Sequence, residues 1–278
     1  MLVYAYRYFK FGFSVGPKFT NKSLSDKKQN PPKYTKNIKH KKVNLRRGKR
    51  SSQKQTSNTL VFAGVNPAGA RSKWATWIKI IRESKASVWT MQETKSSETN
   101  KLKMNNFVIY EKIRESREGG GVAIAARTDL NPVLTAEGED NIEAITIDIF
   151  PSKMVISCTS AYGPQQKDKL DKKIKFWAYL DKIVESARKE GKGFYLQGDL
   201  NAWLGPSMIK GDPNGQNENG KLFQNFLNSH KHLRVVNSLP ICKGLITRKR
   251  DLMNGRSEKS IIDFVVVCSN VLPYVEIM

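Results

Sequence analysis

Six polar residues stand where apolar runs stop. Asn66 follows TLVFAGV (59–65), Glu93 ends SVWTMQE (87–93), and Tyr162 closes MVISCTSAY (154–162). Asp199 and Asn201 belong to QGDLNA (197–202), after the run Gly193 to Leu196, and Asp263 lies within SIIDFVVV (260–267). Together these types suit the hydrolysis of a phosphodiester. A hard divalent cation, Mg²⁺ or Mn²⁺, takes one or two carboxylates and fills its shell with waters and substrate phosphate, a role open to Glu93. Asp199 can orient and deprotonate the attacking water. Asn66, Asn201 and Tyr162 can place donors around the developing charge. Asp199 and Asn201 point to the same side only if the chain stays extended between them.

Each residue also has a plainer explanation. Asn66 before Pro67 can be a turn residue, Glu93 a loop cap, Tyr162 a core ring with a wet hydroxyl, and Asp199 with Asn201 a strand terminator. Asp263 is the hardest to dismiss, because an acid inside an apolar run must be paired, protonated or functional.

The elements that must position these residues read as α/β. TLVFAGV, SVWTMQE, NFVIYEK, GGGVAIAAR, EAITIDIF and MVISCTSAY carry the β-branched content and glycine boundaries of strands in a mixed sheet. In SKWATWIKIIRES, Trp74, Trp77, Ile78 and Ile81 fall on one helical face. DKLDKKIKFWAYLDKIVESARKE (168–190) is the clearest helix, with Ile174, Trp177, Leu180, Val184 and Ala187 as its apolar stripe. It leads through Gly191 and Gly193 into the strand before Asp199. GKLFQNFLNSH forms a further helix, and RVVN and SIIDFVVV are closing strands. Polar groups gathered at several strand ends match the edge where open α/β sheets keep their functional loops.

Charge divides the chain. Residues 1–58 hold 16 Lys/Arg against one acid, Asp26, whereas 59–278 hold 32 basic and 24 acidic residues. The run KHKKVNLRRGKR (39–50) suits a polyanion or a nuclear address, and equally a solvated tail. We therefore expect a basic, disordered tail over 1–58 and one domain over 59–278. The aromatic start MLVYAYRYFKFGFSV is interrupted by Arg7 and Lys10 and makes a poor signal peptide. Three cysteines without metal-type spacing imply buried thiols in a reducing compartment, nucleus or cytoplasm. No apolar stretch is long enough to span a membrane, and no obligate protein partner is expected.

The ordered set GVNPAG, MQET, GGGVAIAAR, SAYGP, QGDLNA, NGKLFQNFL, GLITR and SIIDFVVV resembles the endonuclease/exonuclease/phosphatase superfamily. Within it, the set is similar to the abasic-site-like endonucleases of non-LTR retrotransposons. The resemblance covers nearly all of 59–278. It implies a four-layered α/β sandwich of two mixed sheets flanked by helices, with Mg²⁺ or Mn²⁺ as cofactor and DNA as partner. It further implies that Asn66 and Glu93 lie on the metal side and that Tyr162 contacts phosphate. Asp199 would activate water, Asn201 would lie beside the scissile phosphate, and Asp263 would orient a catalytic histidine.

Two departures stand out. Ala68 occupies a position where many relatives carry Asp or Asn. The closing SDH-like motif is not found after SIIDFVVV, and His40, His230 and His232 do not fit its place. This leads to the expectation of a C-terminally truncated domain lacking its last strand and histidine motif.

Three functions compete: a Mg²⁺-dependent DNA-nicking domain of a retroelement, a relative acting on a phospholipid or inositol phosphate, and an impaired domain that binds nucleic acid without cutting. The basic tail and the cationic stretch KGLITRKR, with Lys243, Arg248, Lys249 and Arg250 as candidate nucleic-acid contacts, favour a nucleic acid.

Overall fold

Alternation along the apolar runs sends successive side chains into two different layers, and two sheets result. The computed structural model describes residues 7–12, 59–67, 69–70, 73–99, 101–114, 119–151, 154–240, 242, 246–251 and 257–277. In chain order the first sheet holds β1 (Arg7–Gly12), β2 (Thr59–Val65), β3 (Val88–Gln92), β4 (Phe107–Lys112) and β5 (Val122–Arg127). The second holds β6 (Val133–Glu137), β7 (Glu143–Ile149), β8 (Ile156–Tyr162), β9 (Gly193–Asp199) and β10 (Leu233–Val235). Then come β11 (Arg248–Asp251) and β12 (Ser257–Ser260), which pair only with each other. β13 (Asp263–Cys268) joins the second sheet, and β14 (Val275–Ile277) returns to the first. The helices are α1 (Trp74–Ser84), α2 (Leu170–Lys189) and α3 (Glu218–Ser229).

The strand orders are β14-β1-β2-β3-β5-β4 and β10-β13-β9-β8-β7-β6. Each sheet contains one parallel pair, β2 with β3 and β8 with β9, and the other pairings are antiparallel. A parallel pair needs a crossover, and α1 and α2 supply the two. Both crossovers therefore start at the strand ends that carry Asn66 and Tyr162, which places those ends beside the entry of a helix.

Packing follows the alternation. Val61, Ala63 and Val65 of β2, with Trp89 and Met91 of β3, face Trp77 and Ile81 of α1 in one apolar cluster. The opposite residues meet the second sheet: the Phe62 and Tyr195 rings lie 4.5 Å apart, and Gln92 donates to Ser160 Oγ at 3.0 Å. On the far face of the second sheet, Trp177 of α2 stacks on Phe223 of α3 at 4.9 Å, and Phe223 meets Phe264 of β13 edge-on. Helix, sheet, sheet and helices make four layers, the expected sandwich.

Several local expectations are corrected. Trp177, Leu180, Val184 and Ala187 of the expected α2 stripe are buried and are joined by Lys173 and Phe176, whereas Ile174 is 48% exposed. Phe176 is buried beside Trp177, their ring centroids 5.3 Å apart, which widens the buried face near the start of the helix. Lys173 follows inward to meet Glu218 of α3 and to donate to the Gln166 carbonyl at 3.1 Å. RVVN starts as the short β10 and turns into a 3-10 segment at Val236–Ser238. SIIDFVVV breaks at Ile261–Ile262, so Asp263 is the first residue of its strand and only half-buried. Arg7–Gly12, within the expected tail, is a strand in antiparallel register with Thr59–Gly64. β6, at the sheet edge with mostly exposed side chains, lacks the apolar alternation that would announce it.

Candidate active site

The carboxyl-end loops of β2, β3, β8 and β9 and the start of β13 surround a cavity of about 450 Å³. Asn66, Glu93, Tyr162, Asp199, Asn201 and Asp263 all line it. Arg248 and Lys249 stand on its wall as well. They belong to a two-stranded ribbon, with Arg250 paired to Glu258 through the backbone. Lys243 and His40 lie outside the described residues, as does Ala68.

Asp199 is the buried floor of this cavity. β9 ends there, and the chain does not stay extended: Asn201 takes a left-handed φ of 48°, and its N–H donates to Asp199 Oδ1 at 3.1 Å. Asn tolerates that conformation better than most residues because its short side chain bonds locally. The turn, rather than strand alternation, thus brings Asp199 and Asn201 to one cavity. Asn201 Nδ2 then donates to the Gly163 carbonyl at 2.9 Å, tying the β9 loop to the Tyr162 loop. Behind it, Asn217 caps α3 by accepting from Gly220 N at 2.6 Å and accepts again from Trp203 N at 3.0 Å.

Glu93 also adopts a left-handed backbone, φ 51°, which a non-glycine residue keeps only when its surroundings enforce it. The enforcement is visible. Gly69 N donates to the Glu93 carbonyl at 2.8 Å, Thr94 N to Gly121 O at 3.2 Å, and Lys95 N to Gly120 O at 3.0 Å. The run Gly119–Gly121 provides the facing loop with φ near 80° at every residue, a conformation open to glycine without strain. Held this way, the Glu93 carboxylate accepts from Asn66 Nδ2 at 2.8 Å, and the same Nδ2 lies 3.3 Å from Asp199 Oδ2. One carboxamide therefore bridges two carboxylates.

The electrostatics follow from this crowding. Burial pushes the Asp199 carboxyl well above its usual range, the facing Asp263 pushes it further, and the Asn201 backbone N–H opposes both. Asp263 is opposite Asp199 in the β13–β9 register. Its backbone is fixed by Thr247 Oγ1, which accepts from Asp263 N at 3.2 Å, and by Asn237, which donates to its carbonyl at 3.0 Å. Burial raises the Tyr162 hydroxyl too, with Asp199 and Glu93 adding to the shift, while hydrogen bonds from Gln165 and Asn201 work against it. Tyr162 remains a protonated donor across the physiological range.

The sequence matches a family model described as the endonuclease/exonuclease/phosphatase family over residues 56–275. The chain belongs to the endonuclease/exonuclease/phosphatase family. A search of curated proteins finds no match. Among solved structures, the AP endonuclease LMAP from Leishmania major is similar at 17% identity, with a TM-score of 0.62, covering 78% of this chain and 81% of that one. The endonuclease domain of TRAS1, a telomere-specific non-LTR retrotransposon, is similar at 17% identity and a TM-score of 0.51, covering 73% and 81%. The 3′ phosphatase NExo from Neisseria, bound to a product DNA hairpin, is similar at 14% identity and a TM-score of 0.54, covering 75% and 86%. Such identities speak for the shared fold.

The site also draws on residues beyond the six candidates. Gln92, Gln165, Gln197, Trp203, Asn217 and Thr247 line the same cavity. Gln92 ends β3 and Gln197 lies two residues before the end of β9, within MQET and QGDLNA, so their positions were a usable signal. Thr247 sits inside the GLITR stretch quoted above, whereas Asn217, in the loop before α3, carried none. His230 is buried at the end of α3, its Nε2 2.7 Å from Asp181 Oδ1, and among the described residues no histidine lines the cavity.

Proposed function

We propose that this endonuclease/exonuclease/phosphatase-family chain is a Mg²⁺- or Mn²⁺-dependent DNA-nicking endonuclease of a retroelement, acting in the nucleus or cytoplasm. The observation that carries this reading is the convergence of Asn66, Glu93, Tyr162, Asp199, Asn201 and Asp263 on one cavity that also bears Arg248 and Lys249. The structural likeness to a retrotransposon endonuclease domain and to a DNA-bound phosphatase supports DNA over a lipid. Among the described residues no helix is long and apolar enough to cross a membrane.

The donor set fits a hard cation. No group of three or more His, Cys, Asp or Glu residues that could hold a metal ion is present among the described residues, so protein ligands would be few. Few carboxylates completed by water and phosphate are what Mg²⁺ accepts. Glu93, with Asn66 against it, would hold the ion, which when bound supplies positive charge at a phosphate oxygen. The chain's own groups do the rest. Asp199 takes a proton from the attacking water, and a carboxylate whose proton affinity is raised by burial and by Asp263 is a stronger base for that task. Tyr162 and Asn201 donate to phosphate oxygens as charge builds, and Asn66 keeps Glu93 and Asp199 apart.

Relaxation of supercoiled plasmid tests the reading. The chain should convert it to open circles with Mg²⁺, and chelation should stop the reaction. Glu93→Gln and Asp199→Asn should each lower the rate by roughly 10²–10⁴. Relaxation that persists in EDTA, or in Asp199→Asn, would overturn it. One observation favours a second reading, binding without cleavage: no histidine lines the cavity among the described residues. DNA retained in a mobility shift without any relaxation would decide for that alternative.

A further inference from the structure

Beyond Tyr162 the cleft continues into a second cavity of about 170 Å³, which shares Tyr162 and Gln165 with the first. At ~30 Å³ per water it has room for a solvated phosphate. Its cations are Arg114, Lys167 and Lys172, and its carboxylates are Glu143 and Asp168.

Both carboxylates are already committed, and in the same way. Glu143, buried on β7, accepts from the Arg114 guanidinium and from Gly121 N at 2.6 Å. Asp168 accepts from Lys172 Nζ at 3.1 Å and from Gln165 N at 2.7 Å. Each thus clamps a backbone N–H of a loop that flanks the catalytic cavity and holds one cation at the second cavity. The Arg114 guanidinium lies 5.8 Å from the Tyr162 ring centroid. Lys167 is exposed at the rim, and α2 starts beside it without a side-chain cap. Glu143 thus ties the glycine loop and at the same time fixes the Arg114 guanidinium at the cavity wall, beside Tyr162.

We infer that this second cavity is a phosphate subsite, formed by Arg114, Lys167 and Lys172, for the backbone phosphate next to the scissile one. The inference rests on the proposed nuclease reading and deepens it. The substrate is a polynucleotide strand that runs past Tyr162, with the Arg248 and Lys249 ribbon at one end and Arg114 at the other. Arginine's planar fork suits a phosphate bidentately, and the lysines add charge without sequence choice.

The test measures binding, independent of cleavage. Fluorescence anisotropy of the full chain with a labelled duplex oligonucleotide, in EDTA, would be followed over a salt series. The double variant Lys167→Ala/Lys172→Ala should raise Kd several-fold and flatten the log–log salt slope by about 0.9 for each phosphate no longer neutralised. Arg114→Lys keeps a cation on Glu143 and so protects the fold, yet it should weaken binding by removing the fork. A mononucleotide at equal phosphate concentration should displace the duplex poorly, since it cannot occupy both cavities. Wild-type Kd and slope in both variants would overturn the subsite. Normal binding effects with no plasmid relaxation would instead leave the subsite standing and remove the nicking activity.

Discussion

Asp199 shows how one residue can be costly for the fold and suited to the proposed reaction. Its carboxyl is buried, faces Asp263 and lies near Glu93, all of which favour the protonated form. Because the folded state raises its pKa, the folded chain holds that proton more tightly than the unfolded one. The stabilising contribution is fully present below the ordinary carboxylate range and is lost as pH rises through the raised value. In metal-free protein this group's contribution should therefore lower the melting temperature as pH rises through the raised value. Asp199→Asn should be inactive yet more stable than wild type at the higher pH, by a few degrees, with the gain shrinking toward the lower. Thermal unfolding of both proteins in EDTA measures this. Parallel pH profiles for the two would show that Asp199 carries no such strain.

At the scale of elements, the site depends on α3 holding the β9 loop. Asn219, buried in the first turn of α3, donates to the Leu200 carbonyl at 2.6 Å and accepts from Trp177 Nε1 at 2.7 Å. It therefore joins α2, α3 and the turn that presents Asn201. Asn219→Ala would leave a buried carbonyl and a buried indole N–H without these partners, at a cost of about 2–3 kcal/mol. Denaturant unfolding should show that loss as a lower midpoint at unchanged slope. A loss well under ~1 kcal/mol would mean that water replaces the amide. Gly198, one residue before the floor, belongs to the same design: a Cβ there would stand 1.9 Å from the Ala161 carbonyl oxygen, so β8 and β9 can approach only across glycine.

For the whole molecule, charge is distributed in two regimes. In residues 59–278 acids offset most of the bases, and the cations that matter are placed individually beside the cleft. Residues 1–58 carry a surplus that needs no placement to attract a polyanion. Replacing the seven Lys/Arg of KHKKVNLRRGKR with Gln should flatten the salt dependence of DNA binding by about 0.9 per phosphate released. Substituting that run leaves β1 in its sheet, whereas deleting 1–58 would remove a strand that pairs with β2 and β14. An unchanged slope in an anisotropy titration would show that the run makes no DNA contact.

Local pattern determined the strands and helices with long, regular runs, the family to which the chain belongs, and the six residues that meet in the cleft. Those signals are carried by neighbours in sequence: apolar alternation, glycine boundaries, and a polar residue where a buried strand must end. What only the tertiary structure decided depends on partners far apart in the chain. Only the first turn of α2 departed from its stripe: with Phe176 buried beside Trp177, Lys173 went inward and Ile174 outward. The left-handed turns at Glu93 and Asn201 exist because the Gly119–Gly121 loop and the Gly163 carbonyl hold them. The raised carboxyl of Asp199 came first from its burial once the sheets close and then from a register that sets Asp263 opposite it. Arg114 gave no sign in its own stretch, because its role is created by Glu143, 29 residues away, and by the ring of Tyr162. A short-range pattern can specify an element, but distances between side chains on different strands are set only when the sheets close on each other.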